Sequence, residues 1–133
     1  MDVKLFTVEE ANGLLPDLIA DLKVLQELAK EIESKQRDLK RAKTRHSATG
    51  ASDGGDPFFE AESMIDFLKM EGELLVGNFS RKGVQLKMIH PGLLDFPAVI
   101  NGEDVLLCWR EGEDRVMHYH TWHDGFQGRK PLG

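Results

Sequence analysis

Near the C-terminus the stretch RVMHYHTWHDGF, residues 115–126, holds three of the chain's five histidines: His118, His120 and His123. Residues two apart on a β-strand point to one face, with Cα atoms about 6.7 Å apart. Imidazoles so placed can converge on one ion, because Zn–N bonds are about 2.0–2.1 Å long. His118 and His120 are thus half of a workable site for a divalent metal such as Zn or Fe. A third ligand is needed, and the candidates lie in loops: Asp95, His123 and Asp124, with His90 behind them. The bland alternative is a pair of partly buried histidines bonded to a carbonyl or carboxylate.

Hairpin register decides which side chains share a face with the pair. A loop of two or four residues around Gly112 would set Leu107 opposite His118 and Val105 opposite His120. Cys108, the only cysteine, would then fall on the other face and be excluded. An odd-length loop would reverse that conclusion. Cys108 is flanked by Leu107 and Trp109 and is expected to be buried and inert. Asp95, in GLLDFP, is expected to bond backbone amides in a proline-bounded loop. Arg110 and Arg129 could clamp a small anion, or form a structural ion network with Glu113 or Asp124.

The elements that must position these residues are legible as changes of period. In FTVEEANGLLPDLIADLKVLQELAKEIESKQRDLKRAKT, Thr7 and Glu10 form a capping box. Leu15, Leu18, Leu22, Leu25, Ala29, Ile32 and Leu39 then recur at helical spacing. Pro16 cannot donate a helical hydrogen bond, so a kink or restart is expected around Gly13–Pro16. HSATGASDGGDP, 46–57, is expected to be a flexible polar connector. A second helix follows over 58–82, with Gly83 as its left-handed terminator. From 84 the period falls to two. Strands are expected at 84–89, 97–100, 103–110 and 115–121, with a tight turn at Asn101–Gly102 and an irregular tail over 122–133. The fold class is α+β: a long antiparallel helical hairpin over 7–82, then a small antiparallel β-meander over 84–121, all as one domain, 1–133.

Length adds a constraint. At about 1.5 Å per residue the first helix would span roughly 46 Å, against a diameter of roughly 36 Å for a compact chain of this size. Its early part is therefore free to pack on the sheet. The projecting hairpin has few neighbours to bury its stripes. A homo-oligomer is expected, a dimer formed through the hairpin.

Composition excludes several classes. The chain has 133 residues, 41% hydrophobic and 30% charged, with net charge −6. No apolar run approaches the ~20 residues of a membrane span, so no membrane association is expected. The acidic balance argues against nucleic-acid binding. The basic run at 35–45 is expected to lie beside the acidic start of the second helix, at Asp56, Glu60, Glu62 and Asp66. MDVKLFTVEEAN has no apolar core with a cleavage site. One cysteine precludes an internal disulfide, and a cytoplasmic location is expected. There is no Gly-rich phosphate loop, nucleophile elbow or Glu-x-x-His pair on either helix.

The words FTVEEANGLLPDL (6–18), PGLLDFPA (91–98), LCWREGE (107–113) and HYHTWHDGFQGRKPL (118–132) resemble those of a prokaryotic family catalogued as domain of unknown function 2203. They stand in its order and spacing over nearly the whole chain. The resemblance implies a small cytoplasmic bacterial protein of no established activity. It moves emphasis to Asp95, Arg110, His120 and Arg129, which fall on the family pattern, and makes His118 and His123 peculiar to this chain. The expected function is divalent-metal binding at a His-based site on the sheet. The alternatives are a non-catalytic homo-oligomeric interaction module and a small-anion pocket.

Overall fold

In the computed structural model, residues 3–49 and 55–133 are described. The first element is α1, Val8–Thr49. Its capping box is formed: the Glu10 N–H donates to Thr7 Oγ1 at 3.0 Å, and the Thr7 N–H to Glu10 Oε1 at 2.9 Å. No break occurs at Pro16, contrary to the expected restart. Proline forfeits one helical hydrogen bond, but Leu15 and Leu18 on either side are buried against the sheet and hold the helix through it. The helix also runs further than its expected end near residue 45. Of the connector expected over 46–57, residues 46–49 are helical, and 50–54 lie outside the described residues.

The second helix, α2, is Phe59–Arg81. Lys43 pairs with Glu62 at 3.5 Å and Lys82 with Asp21 at 2.8 Å. An ion pair at each end with a nearly constant sum of residue numbers means that the helices run antiparallel. The first pair also joins the basic end of α1 to the acidic start of α2, as expected. At Gly83 the backbone turns left-handed, with φ +83°, and a Cβ there would meet Lys4 Cβ at 2.9 Å.

Five antiparallel strands follow in sequence order: β1 Gln85–Met88, β2 Leu93–Ile100, β3 Glu103–Arg110, β4 His118–Thr121 and β5 Lys130–Pro131. Asn101 and Gly102 both have positive φ, 53° and 77°, the two-residue hairpin geometry expected from their types. Three expectations are corrected. β2 begins at Leu93, so Asp95 belongs to a strand and not to a loop. Pro97 is tolerated there because β1 ends its pairing at Asp95; the Pro97 carbonyl instead accepts the Phe6 N–H at 2.7 Å. The last strand of the meander starts at His118, since the Val116 N–H donates to Asn12 Oδ1 at 2.7 Å and the segment before it is a connector. The tail is not wholly irregular: a 3-10 turn at Phe126–Gly128 leads into β5, which pairs with His118 and Tyr119.

One sheet face carries Leu94, Phe96, Ala98, Val105, Leu107 and Trp109. It packs on Ala11, Leu15, Leu18, Leu22 and Leu25 of α1. The opposite face is buried as well: Asp95, Pro97, Leu106, Cys108 and His120 all lie below the surface. No helix of the described residues is long and apolar enough to cross a membrane. Thr7→Ala removes the cap of the helix on which the core is built. It should lower unfolding free energy by about 1 kcal/mol, measured by urea denaturation.

Candidate metal centre

The geometry of the second face follows from two registers. Asp95 stands opposite Cys108 across β2 and β3. Cys108 stands opposite His118, and Leu106 opposite His120, across β3 and β4. The connector between Arg110 and His118 is seven residues long, an odd number. This is the case that reverses the facing expected for a loop of two or four. The exclusion of Cys108 from the histidine pair is therefore overturned: Cys108 shares a face with His118, His120 and Asp95. The connector folds back onto the end of β3. The Trp109 Nε1–H donates to the Glu113 carbonyl at 2.9 Å, and the Arg110 N–H to Glu113 Oε1 at 2.7 Å.

Asp95, Cys108 and His120 form one buried group. One ligand atom from each lies within 4.8 Å of the others, and the residues are 2%, 0% and 4% exposed. His120 Nε2 is 3.2 Å from both Asp95 carboxylate oxygens, and Nδ1 is 2.8 Å from the Thr121 carbonyl. A carbonyl only accepts, so Nδ1 carries the hydrogen facing Thr121. That leaves Nε2 facing the Asp95 carboxylate. Burial pushes the Cys108 thiol up to about 12, and the neighbouring Asp95 charge adds to this; Arg129 opposes it in part.

Arg129 closes the group from the tail. Its Nη1 lies 3.9 Å from Cys108 Sγ, and its fork engages Glu113 at 3.1 and 2.8 Å. Burial works against ionisation of Glu113. The Arg129 guanidinium and the Arg110 N–H outweigh it and hold the carboxyl below its ordinary value. Phe126 lies beneath the Arg129 guanidinium, 4.3 Å from carbon to ring centre, with Arg110 at 6.0 Å. Of the two arginines considered for a small anion, Arg129 is thus spent on Glu113, and Arg110 lies over an aromatic ring.

The other candidates are not among the three that converge. His118 Nδ1 is 3.4 Å from Glu113 Oε2 and is buried without a hydrogen-bond partner. His123 and Asp124 are exposed after β4, and the Asp124 N–H donates to Thr121 Oγ1. His90 precedes Pro91 through a cis peptide bond in the β1–β2 turn. One member of the group escaped the sequence reading of the ligands, Cys108, while Glu113, named there as an ion-pair partner, holds Arg129. One signal was present: the run VLLCW, 105–109, is apolar throughout, the pattern of a strand buried on both faces.

Two outcomes follow. Glu113 binds its proton more weakly folded than unfolded, so it stabilises above the ordinary carboxylate value of 4.5, and that contribution fades as pH falls below it. Glu113→Gln should therefore cost about 1–3 kcal/mol at pH 7, with the difference from the parent shrinking below pH 4.5 in urea melts. A thiol at about 12 is ionised in roughly one molecule in 10,000 at pH 8. Cys108 should resist a thiol-disulfide reagent in the folded protein and react at once in denaturant.

The family model described as "Uncharacterized conserved protein (DUF2203)" matches residues 4–132. Comparison with curated proteins and with solved structures returns no match. With the match covering nearly the whole chain, from the segment before α1 to the strand that closes the sheet, the protein belongs to the DUF2203 family.

Proposed function

We propose that the protein binds one divalent metal ion on the second face of its sheet, with Asp95, Cys108 and His120 as ligands. The observation that carries this is the buried convergence of carboxylate, thiol and imidazole within 4.8 Å. On a tetrahedral ion with bonds of about 2.0–2.3 Å, ligand atoms stand about 3.3–3.8 Å apart, so small side-chain rotations suffice. Nδ1–H on Thr121 O fixes the ring and aims Nε2 at the ion, the usual outer-shell support of a metal-binding histidine. A thiolate and an imidazole favour Zn or a similar ion over Mg or Ca. Charge supports a divalent ion too. A carboxylate and a thiolate ligand bring two negative charges to the site, and one M²⁺ balances them, which avoids the cost of an uncompensated charge there.

A second reading is supported by the hydrogen bonds already made. His120 has partners on both nitrogens, and Arg129 clamps Glu113. The same residues would then lock the tail onto the sheet of a non-catalytic module. Untagged protein distinguishes the two. Under metal binding, Zn²⁺ titration should give one site per chain by calorimetry. The Cys108 thiol proton should be released, read from the dependence of the heat on buffer ionisation. Co²⁺ should give a thiolate charge-transfer band that is absent in Cys108→Ser, and His120→Ala should lose tight binding. If neither ion binds the parent above the level of Cys108→Ser, the lock is the function of the group.

A further inference from the structure

Away from the metal-centre candidate, α2 carries a second apolar face. Met64, Phe67, Met70 and Leu74 are 50–66% exposed. They recur at spacings of three, three and four, which places them on one stripe. Ile65, Leu68 and Phe79, the buried residues of this helix, lie on the other side and face the core. A helix with its own core stripe satisfied and a second stripe of large side chains in water presents an interaction surface.

Charge on the same helix selects the occupant. Glu60, Glu62 and Asp66 lie at its start and Arg81 at its end. Arg81 folds back along the exposed side, bonding the Leu74 carbonyl and the Asn78 side chain. Among the described residues no ion pair is formed by Arg81 or Glu60 within the chain. A helix acidic at one end and basic at the other is complementary to its own reverse. Parallel alignment would stack like charges.

We propose that α2 packs antiparallel against α2 of a second copy of this chain, about a two-fold axis at Met70–Glu71. That axis sets Phe67 against the partner's Leu74, and Met64 against the partner's Gly77, over which the Arg81 guanidinium lies. It carries Glu60 to the partner's Arg81 at both ends. The stripe runs over three turns, which a shallow crossing of about 20° keeps in contact and a steep one does not. Joined in this way, the two hairpins bring four helices together. Glu71 flanks the axis in both copies; that like-charge contact limits affinity and makes association concentration-dependent.

The test is the mass of the full chain in solution over a range of concentrations, by light scattering and sedimentation. The parent should reach twice the 15.0 kDa of one chain. Phe67→Glu and Leu74→Glu, both at positions exposed in the single chain, should remain monomers with unchanged helical circular dichroism. Glu60→Arg and Arg81→Glu should each weaken the dimer about threefold to tenfold, and together they should restore it. Met70→Cys should cross-link to itself on oxidation. A parent that stays monomeric at every concentration overturns the proposal. So does a dimer that survives both apolar substitutions, or a charge pair that fails to restore association.

Discussion

The ladder between β2 and β3 is the constraint on which the rest of the molecule depends. It runs unbroken from Leu93–Arg110 to Ile100–Glu103. Five consecutive residues on each strand are buried, Leu94–Ala98 and Val105–Trp109. A strand pair buried on both faces needs a cover on both. The long first helix supplies one, and the returning tail closes over the other. Because side chains alternate along a strand, the register that gives α1 a continuous apolar floor necessarily delivers Asp95 and Cys108 together to the far side.

That far side holds polar groups where water is scarce. A carboxylate and an imidazole buried without partners would cost several kcal/mol each. Here each finds the other, and Thr121 takes the remaining ring nitrogen. Arg129 and Glu113 repeat the pattern one layer out, with Phe126 beneath the guanidinium. The tail is thus held by charge and ring contacts more than by its two-residue strand. Asp95, Cys108 and His120 are also close enough together that they could hold a metal ion.

Much of the scaffold was legible because short-range chemistry determined it. The capping box at Thr7 and Glu10, the left-handed Gly83 and the Asn101–Gly102 turn are local solutions, each fixed by a few neighbouring residues. The antiparallel hairpin was legible because basic and acidic runs face one another along it. The helix does not restart at Pro16 because tertiary packing outweighs one missing hydrogen bond. The site was harder to read because it depends on parity. One residue more or less between Arg110 and His118 moves every later side chain to the opposite face, and the backbone folding at Glu113 leaves little trace in residue types. Asp95 misled for a related reason: a proline two residues later looked like a loop boundary, whereas it sits where the strand has lost its neighbour.

Asn12 joins these two halves of the architecture. From the second turn of α1 its amide spans both backbone groups of Val116, accepting at 2.7 Å and donating at 3.5 Å. It stands in for a strand partner that the connector lacks. The connector it grips also carries Glu113, and Glu113 grips Arg129 on the far side of the sheet. A short relay of polar contacts therefore runs around the sheet's edge, from the first helix through the connector to the tail.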